Sequence, residues 1–316
     1  MKAIDAIGGS RPLATEEFAR RAYDSALNPL RNPVKAIMDR CSSVEQTPPM
    51  LGIFNDIPWH QFRESEAHAW ARAGFLWIVN DGEHNQWEGY YGRDQNLALL
   101  RLGLLPVQRL PREAVSAHGD ALQLGARATM RPYATQYQEA QRYVRSITFP
   151  RQNDATPDDR GGYAVRGGDR MMYYNPDELR RVEEETQGWI QFETLEYILD
   201  RELRDRVLGL MASQGGNRFC VFVGPFDAAL RGGGEQELLH GITELFGAAT
   251  ARGVYSGRLV SPGPRDTPGA LEDAMVAAIE AGARLLTPHV MTSDLTYRGA
   301  EAVAEPFYRA CRRCGF

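Results

Sequence analysis

Lysine is almost missing from this chain. It occurs only at Lys2 and Lys35, while arginine is abundant. Imine chemistry on a carbonyl substrate needs a desolvated lysine amine inside the site, and both lysines precede the first convincing strand, which argues against a Schiff-base mechanism. Cysteine is scarce too. Four in a chain of 316 residues make no disulfide framework, and the single pair Cys311/Cys314 is half a zinc site at most, so it reads as structural or incidental. No stretch reaches the roughly 18 to 20 consecutive apolar residues of a membrane span. The start of the chain, with Asp5 and a glycine pair, does not read as a signal peptide. A cytoplasmic protein with no membrane partner is therefore expected. Basic runs are also lacking and the formal net charge is -5, which argues against nucleic acid as a partner. The glycine fingerprint of a dinucleotide fold is absent from the first strand-to-helix turn, and the "RGGG" at 231 to 234 is not followed by GK[ST], so it is not a phosphate loop. It reads instead as a flexible loop segment.

What is present is an alternation. Residues 1 to 48 mix helical patches with Pro29, Pro33 and Pro48 and read as an N-terminal extension. From residue 49 to 316, short apolar runs recur: "MLGIF" (50 to 54), "FLWIVN" (75 to 80), "LPVQRL" (105 to 110), "ARATMRP" (126 to 132), "WIQFET" (189 to 194), "RFCVFVG" (218 to 224), "VYSGRLV" (254 to 260) and "RLLTPHV" (284 to 290). Segments with helical spacing of apolar residues, such as "ESEAHAWARAG" and "GALEDAMVAAIEAG", lie between them. Strand and helix candidates alternating over about 260 residues match the size and pattern of a parallel (β/α)8 TIM barrel. An open doubly wound sheet is the competitor, weakened by the missing glycine fingerprint.

In such a barrel the active site lies at the C-terminal ends of the strands. The polar residues that end the runs are Asp81, Glu83 and His84; Arg109; Arg131; Gln191 and Glu193; and Asp227. Asp81, Glu83 and His84 are too closely spaced for ligands one helical turn apart, so they would act from a loop. Gln191 and Glu193 are two apart on a strand and point to one face. An acid inside "WIQFET" is expensive to bury unless it is paired or binds a metal. Glu193 and Asp227 could hold one hard divalent ion. Ion pairing among Arg109, Arg131, Glu193 and Asp227 that closes the barrel end is the alternative. Arg131 could bind a carboxylate or a phosphate of a substrate, but pairing with a nearby acid is preferred.

Five segments in order resemble the HpcH/HpaI class II pyruvate aldolases, from about residue 49 to about 310. "AGFLWIVNDGEH" is similar to the family's Asp-x-Glu-His segment, and "VQRLPREAVSAHGDALQLGA" to its arginine-containing strand, with Arg109 followed by Gly125-Ala126. Pro132 falls at a strand-ending proline, "IQFET" resembles the Gln-x-Glu-Thr strand, and "VFVGPFD" the Gly-Pro-x-Asp metal loop.

The resemblance implies a metal-dependent barrel that cleaves or forms 4-hydroxy-2-oxo acids from a 2-oxo acid and an aldehyde. It implies Glu193 and Asp227 as ligands of Mg²⁺, Mn²⁺ or Co²⁺ with Gln191 beside them, and a substrate carboxylate held by backbone N–H groups around Gly224 to Asp227, the stretch that includes Pro225 and Phe226. Arg109 would stabilise an enolate oxygen, and His84, oriented by Asp81, would be the acid/base centre. A metal enolate also agrees with the missing lysine. Homo-trimers or hexamers are implied by the resemblance alone. Phe226 and Ala228 stand where the family usually has a small residue and a leucine. The segments 151 to 175 and 212 to 218 read as enlarged loops, which is where barrels change substrates. The alternatives are a decarboxylase of an oxaloacetate-like acid, which passes through the same enolate, and a non-catalytic barrel paralogue.

Overall fold

The computed structural model describes residues 31–55, 63–83, 89–112, 117–132, 135–148, 182–225, 234–261, 269–288 and 297–316. Eight strands close into one parallel barrel in sequence order: β1 (Met50–Asn55), β2 (Trp77–Asp81), β3 (Leu105–Arg109), β4 (Ala128–Arg131), β5 (Gln187–Phe192), β6 (Phe219–Val223), β7 (Tyr255–Val260) and β8 (Leu285–Pro288). Each coincides with one of the apolar runs. Nearly every strand residue is buried, as expected where one face looks into the barrel and the other is covered by helices.

Helices follow each strand: α2 (Glu64–Ala73), α3 (Gly89–Arg101), α4 (Ala117–Gln123), α5 (Tyr137–Ser146), the pair α6 (Leu195–Leu199) and α7 (Arg201–Ser213), α8 (Glu235–Thr250), α9 (Ala270–Glu280) and α10 (Tyr297–Arg313). Local chemistry sets their ends. Thr194 Oγ1 accepts from Tyr197 N to start α6, and Asp200 Oδ1 accepts from Leu203 N to start α7. Gly74 ends α2 in the left-handed region at φ 96°, and a Cβ there would sit 1.9 Å from the Tyr308 hydroxyl of α10. The segment 212 to 218, expected as a loop insertion, is the last turn of α7 followed by a short 3₁₀ turn at Gly216–Arg218.

The part of the N-terminal segment that is described lies under the barrel. Helix α1 (Pro33–Met38) buries Val34, Ile37 and Met38 at the N-terminal ends of the strands. Asn32 accepts from Val34 N and Lys35 N and donates to Gln187 Oε1 of β5. Thr47 and Tyr255 share a hydroxyl–hydroxyl hydrogen bond of 3.0 Å, and Arg284 donates to the carbonyls of Val44 and Glu45.

Aromatic rings fill the barrel interior. Trp77 and Trp189 meet edge to face at 5.6 Å, Trp189 stacks on Phe222 at 5.8 Å, and Phe222 reaches Phe54 at 6.4 Å. Gly52 is required by this packing, since a Cβ would lie 1.9 Å from the Trp77 ring. Among the described residues, no helix is long and apolar enough to cross a membrane.

Candidate active site

Strand parity decides which polar residues reach the mouth. Trp77 donates its Nε1–H to Thr287 Oγ1 across the interior, so Val79 and Asp81, two and four residues on, also face inward. The same alternation turns Arg109 and Gln191 inward. Glu193 follows β5 by one residue and keeps Gln191's direction, with Gln191 Nε2 donating to Glu193 Oε1 at 2.5 Å.

Arg109 is the hub. Its Nε donates to Asp81 Oδ1 at 2.9 Å and its Nη2 to Asp81 Oδ2 at 2.6 Å, a two-pronged fork between neighbouring strand ends. Its Nη1 lies 3.0 Å from Glu83 Oε2 and 3.8 Å from Glu193 Oε1. The guanidinium rests above the Phe54 ring, 5.0 Å from its centroid. Burial pulls the Arg109 pKa down, but the hydrogen bonds and charge of Asp81, with Glu83 and Glu193, outweigh it and hold the group above its ordinary value. The cation is therefore permanent.

Gly224 closes the other side. A Cβ there would sit 2.9 Å from Gln191 Nε2 and 3.1 Å from Glu193 Oε1, so glycine is what lets the β6 terminus approach these two side chains. The Gly224 N–H continues the ladder to Phe192 O at 3.2 Å. Pro225 has no N–H, so backbone donors for a substrate carboxylate would have to come from residues after it.

Asp81, Arg109, Gln191, Glu193 and Gly224 are thus brought together around one mouth. Asp81, expected to orient His84, grips Arg109 with both oxygens and accepts from Glu83 N through Oδ1. His84, Phe226 and Asp227 lie outside the described residues. Arg131 does not join the mouth: Met130 takes the inward position and Arg131 turns to the helix layer. There its Nη1 donates to Arg112 O at 2.8 Å, and its Nη2 lies 3.6 Å from Glu139 of α5. It pairs with an acid, as preferred, in a network separate from that of Arg109 and Glu193. Cys311 and Cys314 are free thiols, the first buried. Phe54 was missed in the sequence; the signal was the period-two pattern that puts it on the same face as Gly52.

No protein-family model matches the chain. It is 29% identical over 200 residues to a hydroxypyruvate/pyruvate aldolase of Paraburkholderia phytofirmans, a match covering 63% of this chain and 69% of the relative. It is 27% identical over 192 residues to a 5-keto-4-deoxy-D-glucarate aldolase of Shigella boydii, covering 59% and 69%. Its fold matches that of an HpcH/HpaI aldolase/citrate lyase family protein from Burkholderia cenocepacia with a TM-score of 0.61 at 24% identity, over 81% of this chain and 92% of the other. The likeness read from the motifs is borne out.

Proposed function

We propose, from the premise that this chain is an aldolase related to the HpcH/HpaI enzymes, that it makes or breaks a carbon–carbon bond next to a 2-oxo acid through an enolate, with a divalent metal ion in the mouth. The observation that carries this reading is Arg109, a permanent cation forked on Asp81 and set beside Glu83 and Glu193 at the C-terminal ends of the strands.

The donors available fit a hard ion. Glu193 offers a carboxylate, and Gln191 Oε1 is a buried carbonyl oxygen with no hydrogen-bond partner, adjacent to it. Glu193 and Gln191, with Asp227 by resemblance, would hold Mg²⁺, Mn²⁺ or Co²⁺. Such an ion supplies Lewis-acid polarisation of the ketone. The chain's own residues do the rest. Asp81 fixes the plane of the guanidinium, so the N–H bonds of Arg109 not spent on carboxylates are aimed before substrate arrives. They meet the keto oxygen as negative charge develops on it, and fixed donors aimed at such charge in a buried site lower the barrel-mouth reaction's activation energy. His84 would move the proton. Phe54 and the rings beneath it exclude water from below, which strengthens each of these contacts.

The names of the relatives support pyruvate or hydroxypyruvate as the nucleophilic partner and a hydroxylated aldehyde as the acceptor. Deuterium exchange at the pyruvate methyl group, run with and without Mg²⁺, Mn²⁺ or Co²⁺ and with no aldehyde, tests the enolate alone. Metal-dependent exchange is expected, followed by aldol product when glycolaldehyde or a longer hydroxyaldehyde is added. Exchange absent with every metal would overturn the reading. CO₂ release from oxaloacetate faster than any aldol turnover would replace it with a decarboxylase.

A further inference from the structure

Behind the candidate site, four buried polar side chains stand in register on the outer face of the barrel. Asn55 of β1, Asn80 of β2, Gln108 of β3 and Thr129 of β4 are Cα partners from strand to strand, and none is more than 3% exposed. Asn80 immediately precedes Asp81 and Gln108 immediately precedes Arg109, so alternation sends these amides to the helix layer while their neighbours face the mouth. Asn55 Nδ2 donates to Asn80 Oδ1 at 3.3 Å. Gln108 Nε2 donates to Asn96 Oδ1 of α3 at 2.8 Å, and Asn96 Nδ2 donates to Leu124 O at 3.1 Å. The row is not fully satisfied: Asn80 Nδ2 and Gln108 Oε1 have no hydrogen-bond partner, nor do the amide atoms of the neighbouring Gln95 on α3.

Between a barrel and its helices, incompletely paired amides are less stabilising than apolar side chains of the same volume. What they add is direction. Apolar side chains pack almost equally well after small slips, whereas a hydrogen-bonded amide pair tolerates one alignment of the two elements it joins. Alignment matters here because the side-chain period of a strand is two: a slip of one residue would turn Asp81 and Arg109 out toward the helices.

We propose that the two amide pairs of this row, Asn55–Asn80 tying β2 to β1 and Gln108–Asn96 tying β3 to α3, are a positioning device that holds the ends of β2 and β3 so that Asp81 and Arg109 meet as a fork. Its catalytic consequence rests on the reading of Arg109 given above; its structural consequence does not. The backbone link it braces is Gly82 N–H to Arg109 O at 2.8 Å, next to Leu110 N–H to Met130 O at 3.3 Å.

The test replaces both partners of one hydrogen bond together, as Asn96→Leu with Gln108→Met in the full chain. Because both partners of that bond are replaced together and only the part-buried Leu124 carbonyl loses a donor, the thermal midpoint is expected to stay close to that of the parent. Backbone amide exchange at Gly82 and Leu110 should nevertheless be faster, and kcat should fall by about tenfold to a hundredfold, the scale of a small misplacement of reacting groups, with KM nearly unchanged. Parent-like exchange at both amides in a stable variant would overturn the proposal, as would a loss of kcat that merely follows a fall in the midpoint. Should the pair fail to fold, Gln108→Asn keeps the amide and shortens it by one methylene; faster exchange at Gly82 is expected there too, and its absence overturns the proposal. If the parent itself turns over no 2-oxo acid, the exchange result still decides the row, and it is the aldolase reading that fails.

Discussion

Arg109 makes its contacts in three directions at once, and each has a different weight. The fork on Asp81 is buried on both sides, with side chains 8% and 7% exposed, so breaking it by removing one partner leaves an uncompensated charge at a cost of roughly 3 to 5 kcal/mol. The proposed contact toward a developing oxyanion would raise the rate only where it is stronger in the transition state than in bound substrate. Lysine keeps the charge and loses the fork. Arg109→Lys is therefore expected to lower kcat by about 10² to 10³, as for removal of one oxyanion donor, and to slow pyruvate methyl exchange in parallel. Turnover and exchange near the parent's, together with a lowered thermal midpoint, would make Arg109 a structural ion-pair partner only. A second residue sets a pH dependence away from the site. His118 of α4 is fully buried, neither ring nitrogen has a partner, and its ring meets Tyr143 edge to face at 4.7 Å. Burial, helped by the Arg131 charge, lowers its pKa from 6.5 to about 3. The unfolded chain thus takes the proton first: the contribution to stability is whole above the unfolded pKa and is lost as pH falls toward the folded one, by up to about 1.4 kcal/mol per pH unit. Unfolding midpoints in urea at about pH 7 and pH 5 should differ less for His118→Leu than for the parent; equal slopes would show that His118 is reached by water.

Among the elements, α1 and the turn after it give the barrel its floor. Asn32 serves two masters: its Oδ1 caps α1, and its Nδ2 donates to Glu185 O and to Gln187 Oε1. Loss of an N-cap costs roughly 1 kcal/mol, and an orphaned buried amide oxygen adds about 1 to 3 kcal/mol. Asn32→Ala should therefore lower the unfolding free energy by about 2 to 4 kcal/mol while kcat stays within a factor of about two, since the floor and the mouth are at opposite ends of the strands. A selective loss of turnover at unchanged stability would contradict that separation. Arg284 joins floor to chain end: besides Val44 and Glu45, it donates to Ala283 O at 3.0 Å and lies over the Phe316 ring at 5.1 Å.

For the whole molecule, the metal proposal has a thermodynamic signature that needs no substrate. A ligand that binds only the native state raises the unfolding free energy by about 2.7 kcal/mol when its free concentration is 100 times its Kd. Removing metal with a chelator is expected to lower the thermal midpoint, and restoring Mn²⁺ or Mg²⁺ to raise it. Glu193→Gln should abolish that shift while leaving the metal-free midpoint close to the parent's. A shift that persists in Glu193→Gln would place the ion elsewhere.

The eight strands and the helices between them were legible because burial on both faces writes each strand as a short apolar run, and because surface helices carry their own period. The (β/α)8 order then follows from alternation alone, and with it the end of the barrel where chemistry belongs. Motif order supplied Asp81, Arg109, Gln191 and Glu193. Side-chain direction was another matter. Arg109 and Arg131 both end strands in the sequence, and only the parity of the closed sheet puts one in the mouth and the other against Glu139. That Asp81 grips Arg109 depends on the pairing of β2 with β3, a contact between residues 28 apart. The row behind them, Asn55, Asn80 and Gln108, looks like scattered amides along the chain. It becomes a row only when strand register sets the three side by side, because register is fixed by packing against other elements and not by any residue's own preference.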